Sequence, residues 1–361
     1  MNYLKWLKLT ITITILFLLL VVTFNFCIDT YGARLSLFSV NKEVGQIKTF
    51  TEINQHIFNP EYIFRHPDRF DSFIFGSSRT AVINPEKICD RKFYNMSYTQ
   101  GLPSEHLAIL KTFVRKGIKI KTVIIGVDEF CFTLSPREHE EQLLRMMHPS
   151  VTGRNLHKIF FTFFFRMPKL FEISNSMKLL LNDEQKKKFL LNEKGLQLLW
   201  VKKEKKIELS GKPIFTTEDI SLSPKLFNEK SENEFFAQIR EIISLSKENN
   251  FTLIIFFNPL NNNPYIKYAN SLFPVKRKLA SMIDFYDFSG LNSVTLNNLN
   301  YYEEHHYRYM VGDMIVKRIF GYGTVNVPDD FGVWVTRGNV ARHMEKQKLE
   351  LEQYLKARNL Q

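Results

Sequence analysis

Cysteine is scarce in this sequence, with three residues among 361. Three cysteines are too few for a disulfide scaffold, and their spacing fits no zinc finger. The sequence also lacks an internal repeat and has a single long uncharged apolar run, which excludes a collagen, a coiled coil or a multi-span transporter. Apolar residues make up 44% and charged residues 24%, so the chain is not mostly disordered. Its length allows one large domain with insertions or two smaller ones.

The long apolar run extends from Leu9 to Cys27 and contains no charged residue. A helix of that length, at about 1.5 Å per residue, crosses most of a hydrocarbon core of roughly 30 Å. Lys5 and Lys8 precede the run. Because positive charges favour the cytoplasmic side, we expect residues 1–30 to be a signal anchor with its N-terminus in the cytoplasm. The rest of the chain is then periplasmic or otherwise extracytoplasmic.

A cleaved signal peptide is the alternative reading of the same run. The run is longer than the usual apolar region of such a peptide, and Phe24, Asn25 and Phe26 are poor matches to a small-residue cleavage site. In both readings the remaining residues work outside the cytosol. The formal charge of +12 therefore does not indicate nucleic acid as a partner.

Beyond residue 70, strand-like and helix-like segments alternate. Such alternation predicts a parallel sheet covered by helices on both faces. One helix is expected to begin at a Ser104 cap and to end at Gly117, and another to begin with a capping box of Ser231 and Glu234. The last core helix is expected at Val311 to Phe320. The predicted strands are Ser72 to Phe75, Phe93 to Tyr98, Thr122 to Val127, Phe251 to Phe257 and Ile283 to Phe288.

A segment of about 100 residues interrupts the alternation. It contains a run of phenylalanines, from a total of 33 in the chain, and then several lysines, among them Lys186 to Lys188, Lys202 and Lys203. The phenylalanine-rich part is expected to be either a buried cap helix or a lid or surface that rests on the bilayer. The lysines are either a solvated face or a site for anionic lipid or glycan. The expected organisation is an anchor (1–30), a juxtamembrane segment (31–69), a core in two halves (70–131 and 231–321), a mostly helical insertion (132–230) and a C-terminal extension (322–361).

Two distant segments carry candidate catalytic residues. Ser78, in Gly-Ser-Ser-Arg, directly follows the first predicted strand, where the amides of a following helix N-terminus favour an oxyanion. Glu303 lies three residues before His306, just ahead of the last core helix. An acid at this spacing orients and stabilises an imidazole, which then deprotonates a serine hydroxyl. His305 in place of His306, and Glu304 in place of Glu303, are the alternatives.

With these segments the chain resembles the SGNH (GDSL-like) superfamily of hydrolases and O-acyltransferases, in particular its membrane-anchored extracytoplasmic branch with a Gly-Ser-Ser-Arg block. The resemblance covers roughly residues 70–130 and 250–320. It implies a three-layer, flavodoxin-like α/β fold with Ser78 as the nucleophile, His306 as the base and Glu303 as the orienting acid. Asn95 to Gly101 stands where an oxyanion-hole block is found, and the amides of Ser97 and Gly101 are its candidate donors.

One position departs from the pattern of that superfamily. Asp128 stands where an asparagine side chain usually donates to the oxyanion, and an ionised carboxylate cannot donate and repels an oxyanion. Either Asp128 pairs with Arg79 and fixes the nucleophile loop, while Asn95 or Gln100 supplies a donor, or the site is catalytically weakened.

The resemblance implies serine-dependent ester hydrolysis, or O-acyl (acetyl) transfer onto a cell-envelope glycan. The implied partners are the membrane, an acyl donor and a polysaccharide acceptor, with no metal or other cofactor. The alternative is a catalytically degenerate SGNH-like domain that binds a glycan or a protein during envelope assembly. Protein partners are not indicated by the sequence.

Overall fold

The computed structural model describes residues 3–38, 53–136, 142–181, 191–216 and 225–359. They form two compact units. The helical unit combines the described residues of 1–65 and 139–190, and the sheet unit combines those of 66–138 and 191–361. The predicted insertion (132–230) is thus divided, since its described residues 142–181 belong with the anchor and its described residues 132–136, 191–216 and 225–230 with the sheet. Lys186 to Lys188 lie outside the described residues.

The sheet unit has a six-stranded sheet with the order β2–β1–β3–β4–β5–β8. Its first five strands are parallel, as the alternating sequence pattern predicts, and β8 pairs antiparallel to β5. The long central strand β3 is buried throughout, in agreement with its continuous apolar run. The strands are β1 (Ser72–Phe75), β2 (Phe93–Asn95), β3 (Thr122–Val127), β4 (Thr252–Phe257), β5 (Phe285–Asp287) and β8 (Val333–Val335), with β6 (Tyr301–Glu303) and β7 (His306–Tyr307) in a separate hairpin.

The C-terminal segment 322–361 is part of the sheet unit. Besides β8, it supplies the helix α12 (Val340–Ala357), which packs against α10 (Asn262–Ala280). The helices of the sheet unit are α4 (Pro103–Arg115), α8 (Val201–Ser210), α9 (Glu229–Glu248), α10 (Asn262–Ala280), α11 (Tyr309–Phe320) and α12 (Val340–Ala357).

Two predicted helix starts are wrong. Helix α4 begins two residues earlier than a Ser104 cap allows, because Pro103 occupies its first position and the Glu105 carboxylate accepts a hydrogen bond from the amide of Leu102. Helix α9 is capped by Asn228, whose side-chain oxygen accepts hydrogen bonds from two amides of the first turn. Ser231 and Glu234 lie inside that helix. The N-cap is the residue at which the backbone enters the helical conformation. Several polar residues near that point have side chains able to cap a helix, so residue type alone does not identify the cap.

In the helical unit, α1 is long and apolar enough to cross a membrane, by length and composition. Its side chains are largely exposed as far as Leu20, whereas Val21 and Asn25 are buried. A small apolar core, which includes Ala33, Ile57 and Ile159, holds the other helices together. The helices of this unit are α1 (Tyr3–Ile28), α2 (Ala33–Phe38), α3 (Gln55–Arg65), α5 (Pro149–Thr152), α6 (Leu156–Phe164) and α7 (Leu170–Leu181).

Candidate active site

The loop after β1 positions Ser78. Its backbone turns at Gly76, which has a φ of +153° and leaves no room for a Cβ beside the Thr80 side chain. The amide of Arg79 donates to the Ser77 hydroxyl, and the amides of Thr80 and Ala81 donate to the Ser77 carbonyl. Ser77 is therefore buried and stabilises the loop through these hydrogen bonds, whereas Ser78 is half-buried. The helix N-terminus expected behind Ser78 is a single 3-10 turn of three residues, so it offers no extended helix dipole.

The structure brings Ser78, His306 and Glu303 together. Ser78 Oγ lies 2.8 Å from His306 Nε2, and His306 Nδ1 is hydrogen-bonded to Glu303 Oε1. With the proton on Nδ1 donated to the carboxylate, Nε2 accepts from the serine hydroxyl. This is the hydroxyl–imidazole–carboxylate order that a serine nucleophile requires.

Burial by itself raises the pKa of Glu303, but the hydrogen bond and the charge of His306 outweigh this effect and lower the pKa to about 2. Glu303 is therefore ionised at any pH at which the protein is expected to work. An ionised carboxylate holds the imidazole in one tautomer and stabilises the imidazolium that proton transfer creates.

The alternative residues have different partners. Glu304 Oε1 accepts from the Asn263 side chain, and His305 Nδ1 lies 3.3 Å from Arg79 Nη2. Burial and the neighbouring Arg79 charge both lower the pKa of His305. Ser78 thus meets His306 and not His305.

The predicted Arg79–Asp128 pair is present, and a second carboxylate joins it. Arg79 Nη1 lies 2.6 Å from Asp128 Oδ1, and both terminal nitrogens contact Glu129, at 2.5 and 2.9 Å. Arg79 Nε donates to the carbonyl of His305 at 2.7 Å. These four residues, called the Arg79 cluster below, are joined to both halves of the site, since Arg79 follows Ser78 and His305 precedes His306. Sequence reasoning gave Glu129 no role.

One guanidinium cannot neutralise two carboxylates, and the two acids respond differently. Burial, together with the charge of Glu129, raises the pKa of Asp128 despite the Arg79 contact. For Glu129, burial alone raises the pKa, but its two-pronged contact with Arg79 lowers it. Of the two carboxylates, Asp128 therefore binds a proton more readily than Glu129 does.

The predicted oxyanion donors have other roles. The Asn95 side chain donates to the carbonyls of Thr80 and Ile83, and its oxygen accepts from the amide of Ser97. The amide of Gly101 donates to the carbonyl of Tyr98. Asn95 and these two amides therefore brace the loops around the serine.

One backbone donor remains next to the nucleophile. Within the described part of the chain, the amide of Ser78 itself has no protein acceptor. Gly101 contributes in another way, since a Cβ there would collide with the carbonyl of Gly76. Its small size lets the two loops approach each other.

Trp200 lies against the imidazole and was not identified from the sequence. Its ring is 5.0 Å from that of His306 and stacks on Tyr302, also at 5.0 Å. The next turn reinforces this contact, because Glu204 is hydrogen-bonded to the Tyr302 hydroxyl and forms an ion pair with Arg308. Trp200 and Glu204, which belong to the predicted insertion (132–230), therefore cover one side of the β6–β7 hairpin. A tryptophan followed by lysines has no spacing that would have predicted this contact.

Across the described residues, no group of three or more histidine, cysteine, aspartate or glutamate side chains is arranged to hold a metal ion. Comparison with known proteins adds no relative, because neither a protein-family model nor a curated protein sequence matches the chain.

Proposed function

We propose that the chain is a membrane-anchored, serine-dependent enzyme of the SGNH type that hydrolyses esters or transfers O-acyl groups onto a cell-envelope glycan. The observation that carries the proposal is the 2.8 Å contact between Ser78 Oγ and His306 Nε2, with Glu303 on the opposite nitrogen of the ring. The parallel sheet and the position of Ser78 after β1 agree with that fold class.

In the first half-reaction, Ser78 Oγ attacks the acyl carbon while its proton passes to His306 Nε2. The amide of Ser78 stabilises the negative charge that develops on the carbonyl oxygen. His306 then gives the proton to the leaving alcohol, and the acyl group remains on Ser78 as an ester. Glu303 keeps the imidazole oriented throughout.

In the second half-reaction, water or a sugar hydroxyl gives its proton to His306 Nε2 and attacks the acyl-enzyme. Water releases a free acid, and a sugar hydroxyl yields an acylated glycan. In both routes the bond between Ser78 Oγ and the acyl carbon breaks and His306 Nε2 gives its proton to Oγ, so the Ser78 hydroxyl is regenerated and no cofactor is required.

The position of the site relative to the membrane is part of the proposal. Lys5 and Lys8 lie ahead of the apolar part of α1, so the positive-inside rule places the N-terminus in the cytoplasm and the sheet unit outside. An acceptor in the cell envelope is reachable from that side of the membrane.

A non-catalytic glycan- or protein-binding role is the second candidate. It is favoured by Asp128, which takes the place of a donating asparagine, and by the single backbone donor at Ser78. Loss of one oxyanion donor alone costs about 10²–10³-fold in rate. An inherited serine–histidine pair is then retained without efficient turnover.

Labelling of the full-length protein by a fluorophosphonate in detergent micelles distinguishes the two candidates. An enzyme is expected to form one covalent adduct, which mass spectrometry of peptides assigns to Ser78, because only an activated serine attacks the phosphorus. The adduct is expected to be absent in Ser78→Ala. The control, Ser174→Ala, removes an exposed hydroxyl of α7 and is expected to label normally.

A folded wild-type protein without an adduct at Ser78 contradicts the enzymatic proposal and favours the binding role. Labelling that persists in Ser78→Ala assigns the nucleophile to another residue and contradicts it as well.

A further inference from the structure

Large apolar side chains are exposed along α6, α7 and the loop between them. Phe161 is 55% exposed, and Leu170 is 86% exposed. Such a concentration of exposed apolar side chains is unfavourable in water and usually marks an interaction surface. Its other members are Leu156, Phe165, Met167, Phe171 and Met177.

The opposite face of α6 is part of the core of the helical unit. Ile159, Phe163 and Phe164 are buried there, so α6 is apolar on both sides. A helix that is apolar all round is typical of a fully buried element or of one that meets lipid. Within the described part of the helical unit, no protein element covers the Phe161 side.

Helix α6 is fixed to the last turns of α1. The Asn25 side chain donates to the carbonyls of Phe164 and Arg166, at 2.9 and 2.7 Å. The rings of Phe26 and Phe164 lie 5.4 Å apart. The carbonyl of Phe164 belongs to the last residue of α6, and that of Arg166 lies two residues beyond it. Carbonyls at a helix C-terminus have no partner within the helix, so they accept hydrogen bonds from Asn25, a polar residue within the apolar run.

The contact gives α6 a depth relative to α1. Val21 is buried and Val22 packs against the core of this unit, whereas α1 ends at Ile28. Seven residues of helix correspond to about 10 Å. Because α1 carries no charged residue between Val21 and Phe26, an element beside it at this level lies at the boundary between acyl chains and headgroups if α1 crosses the bilayer. Interfacial helices are buried by about 5–10 Å at this boundary.

The charges beside the apolar side chains fit the same environment. Lys158, three residues before Phe161, and Lys169, directly before Leu170, are both exposed. The nearby acidic residue Glu172 is buried and paired with Arg166. Cations at the rim of an apolar surface attract anionic headgroups.

We infer that the exposed face of α6 and α7 is immersed in the outer interface of the same bilayer that α1 crosses. The helical unit is then held by one helix that spans the membrane and by two helices that lie on it. The lipid interface is the occupant because the last turns of α1, the apolar helix, hold the C-terminal end of α6 through the contacts of Asn25 and Phe26. The inference rests on the proposed membrane insertion of α1 and not on the chemistry of Ser78.

Depth measurements on the full-length protein test it. Single cysteines for an environment-sensitive NBD label are introduced by Phe161→Cys or Phe171→Cys, with Cys27, Cys89 and Cys131 replaced by alanine. The proteins are reconstituted at one chain per nanodisc, in phosphatidylcholine and phosphatidylglycerol. The fluorescence of labels at both positions is expected to be at least about threefold lower in nanodiscs that carry nitroxide lipid labelled near the headgroup than in the same nanodiscs without nitroxide.

A label at Phe17, in the middle of α1, reports separately on the anchor and is expected to be quenched by nitroxide deep in the acyl chains. Quenching at Phe17 combined with fluorescence at Phe161 and Phe171 that nitroxide lipid leaves unchanged overturns the inference while α1 remains inserted. Absence of quenching at Phe17 overturns the membrane topology and this inference together. Protection of Phe161 only when two chains share a nanodisc assigns the surface to a second copy of the chain and also overturns it.

Discussion

Two groups of side chains in the sheet unit have the same composition, a serine, a histidine and a carboxylate, but different connections. In the candidate active site His306 stands in the middle, with Ser78 on one ring nitrogen and Glu303 on the other. The second group consists of Ser289, His343 and Asp287 and is called the Asp287 cluster below. In it the carboxylate of Asp287 stands in the middle. Both serine-bearing segments follow parallel strands of the same sheet, β1 and β5.

The Asp287 cluster joins two helices to the end of β5. Asp287 accepts from the Ser289 hydroxyl at 2.7 Å, from His343 Nε2 at 2.9 Å and from Lys276 Nζ at 2.7 Å. Lys276 belongs to α10 and His343 to α12. The Ser289 hydroxyl also accepts from Lys276, so neither of its neighbours takes its proton. Burial by itself raises the pKa of Asp287, but Lys276 and His343 lower it.

The comparison shows that residue types and their place at the edge of the sheet do not define a nucleophile. A serine hydroxyl becomes reactive when a neutral nitrogen base accepts its proton, and a serine that donates to a carboxylate next to an ammonium group only strengthens an ion pair. We therefore expect substitutions near His306 to change reactivity and substitutions near Asp287 to change stability.

The largest effect is expected for Glu303→Gln. The amide no longer carries the charge that stabilises the imidazolium, and the favoured imidazole tautomer changes, so the rate of fluorophosphonate labelling at Ser78 is expected to fall by about 10²–10⁴-fold. The matched control is Glu304→Gln, since Glu304 is bonded to Asn263 instead of the imidazole. Equal labelling rates in the two variants would remove the distinction between the two serine–histidine–acid groups.

Asp287→Asn is expected to lower the free energy of unfolding by about 3–5 kcal/mol, because it leaves the Lys276 ammonium buried without a counter-charge. Urea denaturation of the full-length protein in detergent measures this loss. Labelling at Ser78 is expected to be unchanged where the variant is folded. Asp284→Asn, at an exposed position just before β5, is the control and should leave the unfolding curve in place. A large loss of labelling in folded Asp287→Asn would show that the two groups are coupled.

The smallest effect is expected in the Arg79 cluster. The pKa of Asp128 is raised in the folded state, so the folded protein binds a proton at Asp128 more tightly than the unfolded chain does. The folded protein therefore loses stability as the pH rises above about 4. Asp128→Asn removes this loss and is expected to stabilise the protein by about 1 kcal/mol at pH 7, with a smaller gain near pH 4.

Glu129→Gln provides the opposite test within the same cluster. The pKa of Glu129 is lowered in the folded state, so its contribution to stability is present above its unfolded pKa and is lost as the pH falls. This variant is expected to be less stable than the wild type at pH 7, with a difference that shrinks toward acidic pH. Urea unfolding of both variants at pH 4, 5.5 and 7 gives the comparison. A destabilised Asp128→Asn at every pH would contradict the assignment of the raised pKa to Asp128.

Much of the fold was predictable because it depends on local patterns. Continuous apolar runs predicted the buried strands, including Thr122–Val127 without error, and the alternation with amphipathic helices predicted a parallel sheet. Strand β8 was missed, since Val333–Val335 is short and partly exposed at the edge of the sheet. Short edge strands have too few residues for a periodic signal.

The sequence by itself determined which groups are able to react: the serine after β1, and the acid three residues before a histidine. These follow from residue type, strand ends and short spacing, which are local properties. The tertiary structure decided that Ser78 meets His306, that Asp128 shares Arg79 with Glu129, that Asn95 braces a loop, and that Trp200 covers the imidazole. Contacts between separate segments of the chain depend on packing that minimises exposed apolar surface and unpaired polar groups across the whole unit, and no short stretch of sequence records that outcome.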